Sequence, residues 1–311
     1  MKHLVKLTAM AAVAFSVAMT SCNNDDDDDN NTPSTPVIGT VTVSQDIAAN
    51  TTWTKNNIYV LDGRIKVRPN VTLTIEPGTI IKGEQGQAAD ATVLMVMRDA
   101  TINAVGTPTE PIIFTSVLDG IQPGQVESPT PSDLQGQWGG LAILGNAKVS
   151  SGTPDPNGGG FDVDQIEGVP STDTDGLYGG NNDDDSSGKL AYISVRHGGT
   201  VLSSGDELNG ISFGGVGRGT EVHHIEVVAN ADDGVEFYGG SVDVSNLLIW
   251  NNGDDAIDTD QGFSGTIDNF IVMGPEGSPM ELDGPEGADL GNGDHTLQNG
   301  TVVTSRADAT A

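Results

Sequence analysis

One supersecondary unit is repeated along residues 189–283 of the chain. A copy that begins at His224 recurs at Asn246 and again at Asn269. An earlier copy begins at Tyr192, and its additional residues before His224 are expected in a loop. A period of roughly 22 residues is typical of stacked coils, because one such unit is too small to bury its own apolar face.

Each copy is predicted to form strands. Apolar residues alternate with polar ones in the first part of three copies, at Ile225 and Val227, Leu247 and Ile249, and Phe270 and Val272. A two-residue period indicates a strand with one buried face. A polar bend and a second short strand follow, over residues 235–237 and 257–259. This pattern predicts an all-β fold, a single-stranded right-handed parallel β-helix, in which Val227 and Ile249 are neighbours in parallel strands.

The stacked copies also align Asn230 with Asn252, which predicts an asparagine ladder inside the bend. The wider pattern N-x-x-I-x-x-N-x-x-D-G-[IV]-x-[IF] is carried by Asn246, Ile249, Asn252, Asp255 and Ile257, and by Val227, Asn230, Asp233, Gly234, Val235 and Phe237. It resembles the repeat of pectin-lyase-like β-helix proteins. The resemblance implies the same fold and no particular activity, because this scaffold hosts many functions.

Residues 1–21 are similar to a lipoprotein signal peptide. Lys2 and Lys6 precede a short apolar run, and the run ends in small residues followed by Cys22, the single cysteine of the chain. This arrangement predicts lipidation of Cys22 and a lipid anchor in the outer membrane. The alternative is ordinary secretion with an incidental cysteine.

Residues 22–37 contain five consecutive aspartates and are predicted to be a disordered acidic tether. An acidic run directly after the lipidated cysteine resembles the surface-export signal of Bacteroidetes lipoproteins, and this resemblance implies exposure at the cell surface. The alternative is a simple solvated spacer.

The β-helix domain is expected over residues 38–311, with two long loop insertions at 119–137 and 150–188. The second insertion is rich in carboxylates and contains few apolar residues, so we expect a partly ordered flap. The formal net charge of −31 excludes nucleic acid as a partner, because its binding needs a positive surface.

Carboxylates form the sharpest candidate site. The repeat places Asp232 over Asp254, Asp233 over Asp255 and Glu236 over Asp258. Stacked carboxylates repel one another and attract a cation, and calcium prefers such hard oxygen ligands. The predicted calcium ligands are Asp232, Asp233, Asp254, Asp255 and Asp258, with Asp260 as a further candidate. The alternative is that these side chains cap turns by bonding to their own backbone.

The same residues admit an enzymatic interpretation. The segments 231–234 and 253–255 resemble the acidic motifs of polygalacturonase-type glycosidases, in which paired carboxylates act as acid and base. The catalytic candidates are Asp233, Asp254 and Asp255, acting with or through calcium. The chain departs from that family where its histidine motif should fall, since residues 277–280 read Gly-Ser-Pro-Met. This departure argues against hydrolysis. A polysaccharide lyase would also need an arginine or lysine base, for which Arg196 is the candidate.

A sugar-binding cluster is the last candidate. Strand alternation points Arg196 outward, in one column with Val228, Trp250 and Met273. Together with His197 and His224, the side chains of Arg196 and Trp250 offer an indole for stacking and polar groups for hydrogen bonds. The alternative is a scattered set of surface residues.

We therefore expect a non-enzymatic, surface-anchored β-helix lipoprotein that binds extracellular glycan or a surface protein, with calcium as the candidate cofactor. The alternative function is a polysaccharide lyase or glycoside hydrolase on the same scaffold.

Overall fold

The computed structural model of the chain describes residues 38–86, 90–167, 169, 173–203, 206–288, 290 and 294–303. The predicted signal peptide, Cys22 and the acidic tether lie outside the described residues. All described residues belong to one compact unit, Val37–Ala311. No helix in this described part is long and apolar enough to cross a membrane.

The chain winds as a right-handed parallel β-helix with three faces, and its described strands form one 13-stranded and one 7-stranded parallel sheet. The first face contains β2 (Thr51–Trp53), β5 (Thr72–Ile75), β8 (Thr101–Val105), the first halves of β13 (Gly188–Arg196), β17 (Glu221–Val228), β19 (Val244–Trp250) and β21 (Thr266–Met273), and β23 (Thr296–Gln298). The second face contains β1 (Gly39–Val43), β3 (Asn57–Leu61), β6 (Ile80–Gly83), β9 (Ile112–Ser116), the second halves of β13, β17, β19 and β21, and β24 (Thr301–Val303).

The third face is the separate 7-stranded sheet. It contains β4 (Arg64–Val67), β7 (Val93–Val96), β10 (Gly140–Leu144), β16 (Ile211–Gly214), β18 (Val235–Tyr238), β20 (Ile257–Asp260) and β22 (Met280–Leu282). Two short antiparallel hairpins lie outside the coil, β11 (Asp164–Gln165) with β12 (Leu177–Tyr178), preceded by a 3₁₀ turn Thr174–Gly176, and β14 (Thr200–Ser203) with β15 (Asp206–Leu208). The second hairpin accounts for the additional residues of the long copy that begins at Tyr192.

The register confirms the repeat. Val227 pairs with Ile249, and Ile249 pairs with Val272, so equivalent residues of successive copies are direct neighbours in parallel strands. Their side chains point into the coil and are buried. The predicted all-β, right-handed parallel β-helix is therefore the observed fold.

Left-handed backbone conformations divide the long strands. Tyr192, His224, Asn246 and Asn269 have φ angles of 51–58°, and each lies where the chain turns from the first face to the second. Asparagine tolerates this conformation better than most residues, because its short polar side chain bonds locally. The side-chain amide of Asn269 donates to the Asn246 oxygen at 2.6 Å. The two-residue period of the sequence does not reveal this bend.

The predicted asparagine ladder is wrong in its contacts. Asn230 and Asn252 do occupy equivalent, fully buried positions in successive coils. Each side chain bonds to its own bend, since Asn230 donates to the carbonyl of Asp233 at 2.7 Å and Asn252 donates to that of Asp255 at 2.6 Å. The buried carbonyl oxygens of these bends need donors, and a local amide is nearer than the next coil. The ladder occurs instead at the more exposed Asn246 and Asn269.

The second insertion packs against the third face. Tyr178 is buried against Tyr238, with ring centroids 5.7 Å apart, and its ring occupies the space above Gly214, where a Cβ would lie 2.6 Å from it. At the far end, Lys66 bonds to Asp173 and Asp175 at 3.0 and 2.7 Å. This insertion therefore covers outward-facing apolar residues of the third face, which would otherwise be exposed to water.

Candidate functional site

The outward column of the second face carries one candidate site. The register aligns Arg196 with Val228, Val228 with Trp250, and Trp250 with Met273, as strand alternation predicts. His197 follows Arg196 directly, at the left-handed bend between the second and third faces, with a φ of 58°. Three of the predicted sugar-binding residues, Arg196, His197 and Trp250, therefore lie close together.

The first insertion, residues 119–137, forms the other wall. Its last residues follow the bend, because the amide of Gln137 donates to the His197 carbonyl at 2.9 Å and the amide of Gly136 donates to the Gly198 carbonyl at 3.0 Å. The side chain of Gln135 reaches two coils further and donates to the Asn251 carbonyl at 2.8 Å. The insertion is thus fastened along successive coils.

A groove of about 420 Å³ lies between the insertion and the column. We call it the insertion groove. Its lining residues are Val126, Glu127, Ser128, Thr130, Ser132, Arg196, His197, Glu226, Val228 and Trp250.

Arg196 is held on the floor of this groove by three partners. Its guanidinium donates to the Val126 carbonyl at 2.9 Å and to the Ser194 hydroxyl at 2.7 Å, and it pairs with the Glu226 carboxylate at 3.3 Å. The side chain is only 11% exposed. Arg196 therefore binds the insertion to the coil, and much of its hydrogen-bonding capacity is already used.

The side chains of His197 and Trp250 each place a ring nitrogen at the groove wall. Nδ1 of His197 bonds to the Leu134 carbonyl at 2.7 Å, so this nitrogen carries the proton and Nε2 is left as an acceptor. Nε2 of His197 and Nε1 of Trp250 are shielded from water and have no hydrogen-bond partner within the described residues. Burial lowers the pKa of His197, which keeps the imidazole neutral.

Asp119 organises the hydroxyl groups of the insertion. Its carboxylate accepts hydrogen bonds from the hydroxyls of Ser128 and Thr130 at 2.5 and 3.1 Å, and from the Thr115 hydroxyl and the Ile121 amide at 2.9 and 3.0 Å. Burial alone would raise the pKa of Asp119, but these donors hold it below its usual value. The Asp119 carboxylate therefore holds the insertion together through these hydrogen bonds, although the insertion contains no regular strand. We call this carboxylate with its four donors the Asp119 hub.

His224, the fourth predicted sugar-binding residue, lies outside the groove. It stacks on Tyr192 with ring centroids 4.3 Å apart, and its Nδ1 is 2.8 Å from Nδ1 of His223. The prediction grouped His224 with Arg196 and Trp250 because it is nearby in sequence, but His224 lies at a left-handed bend away from the groove. His224 therefore belongs to a surface aromatic cluster at the turn between the first two faces.

The acidic columns lie on the other side of the bend, at the start of the third face. Glu236 pairs with Asp258 in successive strands, as predicted. Asp233 and Asp255 occupy equivalent places in the bends, and each accepts a hydrogen bond from a backbone amide of the following coil. Asp255 donates its amide to Asp233 at 2.9 Å, and Ser278 donates its amide to Asp255. These two carboxylates therefore join consecutive bends, whereas the turn-capping alternative expected bonds to their own backbone.

Burial changes the charge state of this cluster. Burial and the neighbouring Asp232 raise the pKa of Asp233 to about 9, and burial raises the pKa of Asp258 to about 7. Burial and Asp258 also raise the pKa of Glu236, whose carboxylate accepts from the side-chain amide of Asn209. Without a cation, Asp233 is thus protonated at neutral pH.

Two overlapping sets of carboxylates could hold a cation. Oxygen atoms of Asp232, Asp233 and Asp254 lie within 4.8 Å of one another, and so do those of Asp233, Glu236 and Asp258. Four of the predicted calcium ligands fall in these sets. Asp255 falls in neither, while Glu236 joins one of them. Asp260 lies two residues beyond Asp258, and its raised pKa has the same main cause, burial.

Of the catalytic candidates, Asp233 and Asp254 come together in one of these carboxylate sets, whereas Arg196 is bound in the insertion groove. Arg196 bonds to Ser194, Val126 and Glu226 in the insertion groove, whereas Asp233 and Asp255 bond to backbone amides at the bend. Sequence reasoning also missed the groove residues of the first insertion. They come from a segment without periodicity, and their position depends on the Asp119 hub.

A family model described as "Pectate-lyase like beta helix domain" matches residues 45–309, which is most of the chain. The searches of curated proteins and of solved structures each found no significant match.

Proposed function

The chain belongs to the pectate-lyase-like β-helix domain family, and on this premise we propose that it is a cell-surface lipoprotein that binds extracellular glycan in the insertion groove without cleaving it. The composition of the insertion groove is the observation that supports glycan binding. The groove combines an outward indole, at Trp250, with several hydroxyl and carboxylate side chains in a volume of about 420 Å³. An apolar surface beside convergent polar groups is typical of ligand sites, and aromatic rings pack against the apolar faces of sugars.

The ring nitrogens of Trp250 and His197 that have no partner among the described residues also support glycan binding in the groove. A buried donor or acceptor without a partner costs about 1–3 kcal/mol. Trp250 lacks an acceptor for its indole N–H, and His197 lacks a donor for Nε2, among the residues that the structure describes. A sugar hydroxyl both donates and accepts, so a small adjustment of the insertion around a bound sugar would satisfy both rings.

The decisive test is a glycan array probed with the full-length chain, followed by calorimetry on each glycan that binds. We expect Trp250→Ala to weaken binding at least about tenfold, because stacking and an indole hydrogen bond are lost together. Tyr192→Ala, which removes a partly exposed aromatic outside the groove, is the matched control and should bind as the unmodified chain does. Equal affinity of the Trp250→Ala variant would refute the groove as the site.

The alternative function is a polysaccharide lyase or a glycoside hydrolase. One observation favours it, because the raised pKa values of Asp233 and Asp258, about 9 and 7, suit a general acid near neutral pH. Against it, Arg196 bonds to Ser194, Val126 and Glu226 in the insertion groove, and the carboxylate of Asp233 is engaged by the backbone amide of Asp255. Release of reducing ends or unsaturated oligosaccharides from any polysaccharide bound on the array would decide for the enzyme.

Membrane anchoring is the second part of the proposal. Lipidation of Cys22 and the acidic tether of residues 22–37 would place the β-helix on the outer face of the outer membrane. We expect Cys22→Ala to shift the protein from the membrane fraction to the soluble fraction, and we expect protease added to intact cells to degrade the unmodified protein. Protection from that protease would contradict surface exposure.

Calcium stays a prediction for the carboxylates around Asp233. The separations within 4.8 Å suit hard oxygen ligands of one ion. The ligands would have to lose their protons on binding, so calcium affinity would rise with pH.

A further inference from the structure

Charge distinguishes the insertion groove from a site for acidic polysaccharides. Among its described lining residues, Arg196 is the one cationic side chain, and Glu127 and Glu226 are the carboxylates. The Arg196 charge is already paired with Glu226 at 3.3 Å. His197 adds no charge, because burial keeps it neutral. The groove therefore has an excess of negative charge, in a chain whose formal net charge is −31.

Two of the three hydroxyl groups that line the groove, those of Ser128 and Thr130, have a fixed direction. Ser128 and Thr130 both donate to the Asp119 carboxylate, at 2.5 and 3.1 Å. An ionised carboxylate only accepts hydrogen bonds, so the hydroxyl hydrogens point towards Asp119 and away from the groove. The Ser128 oxygen also accepts from the Thr130 amide at 2.9 Å, and the Thr130 oxygen accepts from the Gly120 amide at 3.4 Å, so one lone pair on each hydroxyl oxygen remains as an acceptor for a ligand.

The donors of the Arg196–Ser194–Glu226 network are committed in the same way, and among the described residues the indole N–H of Trp250 is a donor left without an acceptor. The Arg196 guanidinium is shared among Val126, Ser194 and Glu226, and the Ser194 hydroxyl donates to Glu226. The hydroxyl oxygens, together with the carboxylates of Glu127 and Glu226, make the wall rich in acceptors. Such a wall requires a ligand rich in donors.

From these contacts we propose that the insertion groove selects uncharged, hydroxyl-rich sugars and rejects uronates. The inference rests on the proposed function and specifies its ligand class. A neutral pyranose supplies O–H donors to the acceptor wall and an apolar ring face to Trp250. A uronate replaces one of these donors with a carboxylate, which only accepts and which meets Glu127 and Glu226 as like charges.

The test compares matched ligands that differ in one group. Each neutral glycan that binds on the array is oxidised at its primary C6 hydroxyls to the corresponding uronate, and calorimetry measures the affinity of both forms for the full-length chain. We expect the oxidised form to bind at least about tenfold more weakly at low salt, and the penalty to shrink as salt screens the repulsion.

Glu127→Gln is the informative variant, because Glu127 is exposed and its replacement leaves the Arg196–Glu226 pair intact. It should narrow the ratio of the two affinities, because it removes a charge that repels the oxidised form, whereas for the neutral form it only replaces a carboxylate acceptor with an amide oxygen. Glu110→Gln removes an exposed carboxylate that pairs with Lys55 outside the groove, and it should leave the ratio of the two affinities unchanged.

The outcomes are distinct. Uronates among the strongest array ligands, or equal binding of the oxidised form, would overturn the inference and leave glycan binding intact. A preference for cationic amino sugars over neutral ones would also overturn it. If no glycan binds at all, the proposed function fails first and the inference fails with it.

Discussion

At the residue scale, Asp233 shows how burial in the stacked bends changes the protonation of a carboxylate. The side chain is 9% exposed, accepts from the amide of Asp255, and lies within 4.8 Å of four other carboxylates in two overlapping sets. Because the charged form would be both desolvated and repelled, the folded protein favours the protonated acid. The same carboxyl group would become a charged ligand if a cation were bound.

The first prediction concerns the pH dependence of stability. The pKa of Asp233 is raised from 3.8 to about 9 on folding, so the folded chain binds this proton more tightly than the unfolded chain. This stabilisation is fully present below about pH 4 and is lost as the pH rises towards about 9. Asp258 and Glu236 act in the same direction. In EDTA, we expect Tm to fall by roughly 5 °C or more between about pH 5 and pH 8.

Asp233→Asn keeps the shape of the side chain and removes its titration. In thermal denaturation monitored by circular dichroism, this variant should show a shallower decrease of Tm with pH than the unmodified chain. Added calcium should raise Tm at about pH 8 far more than at about pH 5, because only deprotonated carboxylates bind the ion. A Tm that does not respond to calcium at the higher pH would show that the calcium prediction is wrong.

At the scale of elements, the pairing of the strands can be predicted from the sequence, whereas the left-handed bends and the position of the first insertion cannot. The pairing of Val227 with Ile249 follows from the repeat, because one face of each strand must be buried and a slip by one residue would expose it. Other features depend on conformations or long-range contacts that carry no periodic signal. His224 was predicted in the cluster because it is nearby in sequence, but it lies at a left-handed bend outside the groove. Val126 and Gln135 contact partners that lie 70 and 116 positions later in the chain, and these contacts placed an aperiodic insertion over Trp250.

The second prediction concerns the first insertion as an element. Asp119→Asn removes the charge that accepts from Ser128, Thr130 and Thr115, and hydrogen bonds to charged groups contribute about 1.5–3 kcal/mol each. We expect residues 119–137 to open at least about tenfold more often, while the coil keeps its strands. Limited proteolysis and amide hydrogen exchange would measure this opening.

Asp133→Asn is the matched control for Asp119→Asn, since Asp133 is exposed in the same insertion. The pH dependence gives a second check. The folded pKa of Asp119 is below its ordinary value of 3.8, so its stabilisation is present above that value and is lost as the pH falls through the lower folded value. The unmodified insertion should therefore open in acid, whereas the opening of Asp119→Asn should not change with pH in that range. An insertion equally protected in both variants would contradict the role of Asp119 as its hub.

At the scale of the whole molecule, the β-helix is close to a one-dimensional stack. Each coil contacts mainly the coils before and after it, so stability is approximately a sum over coils and their interfaces. Phe213, Phe237 and Phe263 illustrate this interior column, with ring centroids 5.3 and 4.5 Å apart. Removing one complete coil should therefore shorten the molecule without abolishing its fold.

The last prediction tests this stack by deletion. Gly234 and Ala256 occupy equivalent positions, because their amides bond to the carbonyls of Asp255 and Ser278 in the next coil. Deleting one complete repeat, 235–256, joins Gly234 to Ile257, which already pairs with Val235 as its equivalent. We expect a chain that retains its β-structure in circular dichroism, unfolds cooperatively, and is shorter by one coil, about 4.8 Å, in small-angle scattering.

A deletion that stops one residue earlier, 235–255, is the control. It removes nearly the same contacts, but it shifts β20 by one position relative to the coil before it. Asp258 would then point into the apolar interior unless the preceding bend were strained to compensate, and either result costs several kcal/mol. The shorter deletion should therefore unfold at a lower temperature or fail to fold. If the two deletions were equally stable, the period of the repeat would not be what determines the register of the coils.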